Sequence, residues 1–177
     1  MSWRTTMPTP AYLTVTGAIQ GNITKDAGSI DSLAGLGQAA HLDESIIYAF
    51  SHEITSPYNL QSGSSAGPHI HHPICITKAF DKASPLLLQA LTHGEMLSEV
   101  IINWYRTNDN KQEHYYTTRL ERAKIVAIKD HMPNSQDPQN SNFTHLQDVH
   151  FSYRKITWSH VTSKSMGSDD WDKPKMD

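Results

Sequence analysis

The sequence has few of the features that stabilise or anchor secreted and membrane proteins. Its 177 residues include one cysteine, Cys75, which cannot form a disulfide within the chain, so the fold depends on its core. The longest apolar runs, such as Ile46–Phe50, are far too short to cross a bilayer, and no membrane insertion is expected. The N-terminus lacks the apolar segment of a secretory signal peptide. We therefore expect a cytoplasmic product whose export, if it occurs, is independent of a signal peptide.

The chain also lacks a strong charge of either sign. Its 15 Lys and Arg residues face 18 Asp and Glu residues, which gives a net charge of −3. The positive residues are scattered, and no run of Lys or Arg occurs. Because nucleic-acid binding needs a basic surface, we expect no nucleic-acid partner.

Sequence motifs of catalysis are missing as well. There is no HExxH, CxxC or GxSxG pattern, and the glycines of Gly17–Gly21 follow a strand without opening a helix, so they do not predict a phosphate site. Cys75 lies inside an apolar strand, where a thiolate is disfavoured, and we expect a buried, inert and dispensable thiol. The adjacent acids Asp43-Glu44 and Asp169-Asp170 are interpreted as solubilising. The sequence thus predicts neither an enzyme nor a cofactor.

Eleven histidines raise the question of a metal site. The densest group is His69, His71 and His72. In a strand, His69 and His71 would lie on the same side and could supply two ligands. A third ligand would be needed, and the sequence names none, so we predict a solvated or interface role and no metal.

Short alternating runs of apolar and polar residues dominate the rest of the chain. Because side chains alternate across a strand, each run predicts a half-buried β-strand. Within each run, the apolar residues lie on one face of the predicted strand. These sets are Leu13 and Val15; Ile46, Tyr48 and Phe50; Val100, Ile102 and Trp104; and Val149, Phe151 and Tyr153. The apolar phase then shifts to Ile156, which predicts a β-bulge near Arg154–Lys155. The fold is therefore expected to be mainly β.

One segment predicts a helix instead. Ser84 is suited to cap it, Pro85 to begin it and Gly94 to end it. Leu87, Leu88 and Leu91 would lie on one face of this short amphipathic helix and pack on the sheet.

Two stretches rich in Gly, Ser, Pro and Asn predict long exposed loops, Ser56–Pro68 and Met132–Asn142. Loops of this length in a small domain are usually functional or disordered. Trp171 follows the last strand, which indicates that the tail docks on its own barrel or on a neighbouring subunit.

Taken together, these residues resemble the Hcp (haemolysin-coregulated protein) family of type VI secretion systems, from Met7 to about Trp171. The densest stretch of resemblance is Gly67–Arg106. The motifs that carry it are Asp81–Pro85 (DKASP), Gly94-Glu95, Trp104–Arg106 (WYR), Gly17–Thr24 (GAIQGNIT), Gln112–Leu120 (QEHYYTTRL), Tyr153–Trp158 (YRKITW) and Gly167–Trp171 (GSDDW). The chain departs from the family at His69 and His72, where Arg and Lys are frequent.

The resemblance implies a β-barrel of two packed antiparallel sheets with one short α-helix and a long extended loop. It also implies a homohexameric ring, stacked rings and a hollow tube that is expelled from a Gram-negative bacterium. Implied partners are the spike, sheath and baseplate components and small effector proteins in the lumen, for which the chain would be a carrier. Residues 7–177 would form the single Hcp-like domain, and residues 1–6 a leader or an alternative start.

The loop and the residues that follow it are the predicted contact site between subunits or rings. Two interpretations stay open: a disordered connection, or an arm that orders on a neighbour. With unperturbed pKa values near 6.5, the three histidines could make stacking sensitive to mild acidity. The predicted interface residues are Gln61, Ser62, Gly63, Ser64, His69, His71, His72 and Trp171.

Overall fold

The computed structural model describes residues 9–173 and is mainly β. The predicted leader at residues 1–6 lies outside the described residues. Short 3₁₀ turns occupy Ala34–Leu36, Ala39–His41 and Pro138–Asn140. The strands are β1 (Ala11–Gly17), β2 (Gly21–Asn22), β3 (Ser45–Ser51), β4 (Ile54–Thr55), β5 (Ile70–His71), β6 (Ile74–Ala79), β7 (Leu97–Asn108), β8 (Lys111–His131), β9 (Leu146–Ser152), β10 (Lys155–His160) and β11 (Ser165–Asp170). The helices are α1 (Ile30–Leu33) and α2 (Ser84–Thr92).

The strands form a nine-stranded antiparallel sheet and a separate two-stranded sheet, β4–β5. The large sheet closes on itself, because its path runs β8-β7-β1-β3-β6-β9 and β9 pairs again with β8. Closure is possible because β8 has 21 residues. Its N-terminal half pairs with β10 and its C-terminal half with β9. The predicted mainly β fold with a short packed helix is confirmed.

The core fills the closed sheet with side chains from the predicted alternating faces. Leu13, Val15, Val100 and Ile102 are all fully buried in one cluster, and Trp104 packs against it. Burial of such side chains stabilises the fold by roughly 1.5–3 kcal/mol each. The period-two pattern therefore located the core correctly on these strands.

The phase shift after Tyr153 is real, but it is not a bulge within one strand. The chain leaves β9 at Ser152, turns at Arg154 and re-enters the sheet as β10 in the same register against β8. Opposite this break, Arg122 of β8 has a φ of 51°, in the left-handed region. The interruption lets Ile156 return to the core.

Helix α2 packs on the barrel with a different face from the predicted one. Leu87 is fully buried and Leu91 packs against the core, as predicted. Leu88 is only half-buried and lines a surface pocket with Pro85, while Ala90 takes the predicted core position. Residues three and four positions after Leu87 share its face of the helix, and these are Ala90 and Leu91. The prediction chose Leu88 over Ala90 because Leu88 is the larger apolar residue.

Candidate functional site

An arm projects from the barrel between β3 and β6 and comprises residues 52–72. Its base is the β4–β5 pair, in which Ile54 lies opposite His71. Beyond the base, Tyr58 forms an isolated antiparallel bridge with Ser65. The arm supplies no residue to either core cluster of the described chain. It is therefore a hairpin outside the barrel, and its surface is available for other contacts.

The predicted tip residues stand at the end of this hairpin. Backbone hydrogen bonds order the turn: the Gly63 N–H donates to the Asn59 carbonyl at 2.8 Å, and the Asn59 N–H donates to the Ser64 carbonyl at 2.9 Å. The Asn59 side-chain oxygen also accepts from the Gln61 and Ser62 N–H groups. Gln61, Ser62, Gly63 and Ser64 are all exposed. The arm thus has hydrogen-bonded structure of its own despite its Gly- and Ser-rich composition.

The arm also exposes apolar side chains, which the Gly- and Ser-rich composition of the loop did not predict. Tyr58 is 62% exposed and Leu60 is 86% exposed. At the base, Ile54 and Ile70 are exposed as well. Apolar side chains that contribute nothing to their own core indicate a surface for contact with another molecule.

At the base of the arm, two of the predicted histidines meet one carboxylate. His69 Nε2 lies 2.6 Å from Asp169 Oδ2, and His71 Nε2 lies 2.7 Å from the same oxygen. Asp169 belongs to β11, about a hundred residues further along the chain. His72 does not join them: its side chain is exposed beside Thr55. The contact fixes the arm base against the last strand of the barrel.

A hydrogen-bonded chain continues from His71 into the barrel. The Tyr153 hydroxyl lies 2.7 Å from His71 Nδ1 and 2.7 Å from His52 Nε2. Burial, reinforced by the charge of Asp169, raises the pKa of Tyr153, so its hydroxyl keeps its proton. Burial and the neighbouring His71 and His72 lower the pKa of His52, which favours its neutral form.

Trp171 covers this cluster from the tail. Its indole lies 5.2 Å from the His71 ring and 6.0 Å from the His69 ring, measured between centroids. Its backbone N–H donates to the Arg154 carbonyl at 2.9 Å. Of the two interpretations of Trp171, docking on its own chain is the one that these contacts support.

Three members of the cluster were not identified from the sequence: Asp169, Tyr153 and His52. Asp169 and Asp170 were interpreted as solubilising, but Asp169 contacts two histidines and Asp170 accepts a 2.8 Å hydrogen bond from Arg122. The only available signal was that Asp169 shares the GSDDW motif with Trp171. Nothing in the sequence pairs it with a histidine about a hundred residues away.

The glycine-rich turn at Gly17–Gly21 has a structural partner within the chain, the carboxylate of Glu95. The N–H groups of Ile19 and Gln20 both donate to Glu95 Oε1 at 2.7 Å. The Gln20 side chain donates to the other oxygen of Glu95 at 2.7 Å. The amide groups that would bind a phosphate are therefore occupied by a carboxylate of the same chain.

Cys75 is not buried as expected but half-exposed, on the face of β6 opposite Ile74 and Ile76. Its sulfur lies 3.5 Å from His150 Nε2. Partial burial of the thiol and the charge of Asp148 raise its pKa. The thiolate is thus disfavoured, in line with the expected inert role.

The barrel has an exposed strand edge. Within residues 9–173, β11 pairs with β10 and with no other strand. Its first four residues are exposed, among them Met166 at 78%. An edge strand presents unpaired N–H and C=O groups and can accept another chain.

Comparison with known proteins identifies the family. The family model described as "Type VI secretion system effector, Hcp" matches residues 12–160. The chain belongs to the Hcp family. The Major exported protein of Pseudomonas aeruginosa (strain PAO1) is 56% identical to it over 169 residues, which span 95% of this chain and 98% of that protein.

Solved Hcp structures share the fold. The crystal structure of an Hcp protein matches with a TM-score of 0.89 and 38% identity, over 93% of this chain and 99% of that chain. The secreted protein Hcp3 from Pseudomonas aeruginosa matches with a TM-score of 0.77 and 49% identity, over 92% of this chain and 99% of that chain. The chain is thus an exported protein of type VI secretion with the Hcp fold. In residues 9–173, no helix combines the length and apolarity needed to cross a membrane.

Proposed function

We propose that this Hcp chain is a structural tube subunit: six copies close into a ring, and rings stack into a hollow tube that is exported. The observation that carries the proposal is the arm, a hydrogen-bonded hairpin with Tyr58 and Leu60 exposed outside its own core. The open edge of β11 supports it, because closed rings of identical subunits need a heterologous contact in which two different surfaces meet. In this role the chain catalyses no reaction.

The tube proposal includes its partners and its route. The chain would stay in the cytoplasm until the spike, sheath and baseplate of the secretion system expel it, and no signal peptide is required. A ring also encloses a lumen, in which small effector proteins would travel. Retention of a small toxin by assembled rings during gel filtration, and its loss when the rings dissociate, would support this carrier role.

The arm variant Tyr58→Ser with Leu60→Ser tests the proposal. Both side chains are exposed, so their replacement should leave folding and rings intact while tube formation and secretion fall. The control is Met132→Ser with Phe143→Ser, which removes two exposed apolar side chains, 60% and 59% exposed, from the connection between β8 and β9. Electron microscopy of purified protein counts rings and tubes, and immunoblotting of culture medium measures export.

A second variant shortens Gln61–Ala66 to a two-residue turn and removes the tip altogether. Rings should again survive, and tubes should be lost. If both arm variants form tubes and are secreted like the control, the arm is only a linker and its role in stacking is wrong.

A further inference from the structure

The base of the arm combines three side chains that are common metal ligands. Both imidazole Nε2 atoms approach the same carboxylate oxygen, and the ligand atoms of His69, His71 and Asp169 all lie within 4.8 Å of one another. Among residues 9–173, no other group of three His, Cys, Asp or Glu side chains converges in this way. We propose that His69, His71 and Asp169 bind a divalent transition-metal ion, Zn²⁺ in the first instance, which ties the arm to β11.

The chemistry of the three ligands suits zinc. Two imidazole nitrogens and one carboxylate oxygen form the ligand set of open zinc sites, in which water or a substrate takes the fourth position. Ligands bound at about 2.0–2.2 Å in a tetrahedron lie roughly 3.4 Å apart. The present separations of 2.6 and 2.7 Å between the histidine nitrogens and Asp169 Oδ2 need to widen by less than an ångström.

The surroundings of His71 hold it in the orientation that a ligand requires. A metal on Nε2 leaves the hydrogen on Nδ1, which then donates to the Tyr153 hydroxyl at 2.7 Å. Tyr153 in turn donates to His52 Nε2, also at 2.7 Å. Metal-binding histidines commonly donate their other ring N–H to such a partner, which fixes the tautomer and the ring plane.

The site also has an entrance. The His69 side chain is 35% exposed, whereas that of His71 is 4% exposed and that of Asp169 is 16% exposed. An ion and its water ligand can therefore reach the cluster past His69, while the buried Tyr153 closes its inner side. The proposal does not depend on tube assembly, because metal binding is a property of the single chain.

Isothermal titration of ZnCl₂ into the untagged full-length protein, in a buffer that does not chelate zinc, tests the proposal. We expect about one ion per chain. His69→Ala and Asp169→Asn should each weaken binding at least tenfold, and Tyr153→Phe should weaken it roughly 10–100-fold by removing the partner of His71. His72→Ala is the matched control, because it removes the adjacent histidine that does not converge, and it should bind like wild type.

Circular dichroism shows that each variant is folded before titration. Replacement of Zn²⁺ by Co²⁺ adds a spectroscopic readout, since four-coordinate Co²⁺ gives strong visible absorption that should disappear in His69→Ala. If the wild-type protein shows no saturable zinc binding, the proposal is overturned. The proposal is also overturned if His69→Ala and Asp169→Asn bind zinc like wild type, or if His72→Ala weakens binding as much as they do. In each of these cases the cluster is a hydrogen-bonded contact only.

Discussion

The family motif at Asp81–Pro85 illustrates how single residues determine this fold. The Lys78 ammonium is fully buried and donates to Asp81 Oδ1 at 2.7 Å, to the Ala79 carbonyl and to the Ser84 hydroxyl. Burial lowers the pKa of Lys78, and the charge of Asp81 opposes that shift. The sequence predicted Ser84 as the helix cap, but Asp81 accepts from the Ala83 N–H, and Ser84 accepts from the Asp81 N–H. The motif therefore both begins α2 and neutralises a buried charge.

Glu95 has a comparable role at the other end of the helix. Gly94, with a φ of 63°, ends α2 in the left-handed conformation that favours glycine. Glu95 then binds the turn at Ile19 and Gln20. Burial would raise the pKa of the carboxyl, but the hydrogen bonds from Gln20 and Ile19 outweigh it, so the pKa lies below the ordinary value of 4.5.

This lowered pKa predicts a pH-dependent effect of Glu95→Gln. The stabilisation by the carboxylate is fully present above pH 4.5 and is lost as pH falls through the lower pKa of the folded state. Near neutral pH the substitution should therefore cost about 1–2 kcal/mol, the difference between charged and neutral hydrogen bonds. Urea unfolding between pH 7 and pH 3 should show the gap closing at the acidic end.

Glu99→Gln serves as the control for this series, because Glu99 pairs with Arg119 at the surface, where ion pairs contribute little. It should change the free energy of unfolding only slightly at every pH. A Glu95→Gln deficit that stays constant down to pH 3 would show that the carboxylate charge is not the source of the stabilisation.

At the scale of elements, alternation predicted β1, β9 and the first half of β7 well, because these stretches keep one face in the core. It failed on β3, where Ile46, Tyr48 and Phe50 were placed together. The register shifts between Ile47 and Ala49, so Ile47 and Phe50 contact the main core, while Ile46 joins a smaller cluster with Tyr12. A shift of one residue inverts every later side chain, and no local residue pattern marks it.

Helix α2 provides a direct test of packing. Leu87→Ala should cost roughly 2–5 kcal/mol, because the side chain is fully buried and the barrel cannot close around the cavity. Leu88→Ala should cost clearly less, because Leu88 is half-buried beside a surface pocket. In thermal melting, the Tm of Leu87→Ala should lie at least about 4 °C below that of the wild-type protein. Equal losses in the two variants would mean that the orientation of the helix is wrong.

At the scale of the molecule, the sequence predicted a mainly β fold and a long exposed loop at Ser56–Pro68, but not the contacts that join distant parts. The closed sheet depends on the length of β8, whose 21 residues pair with β10 at one end and with β9 at the other. The arm base depends on His71 meeting Asp169, residues that only the closed barrel brings together. Such contacts leave no periodic signal, whereas strands and helices do.

The most direct test of the account is the mass of the purified particle. Light scattering on the untagged protein at micromolar concentration should give six times 19.9 kDa, about 119 kDa, with ring-shaped particles in electron microscopy. This follows if the edge of β11 and the faces of the barrel meet a neighbouring copy in a contact that closes. A single species of 19.9 kDa, without rings at any concentration tested, would contradict the proposed tube subunit.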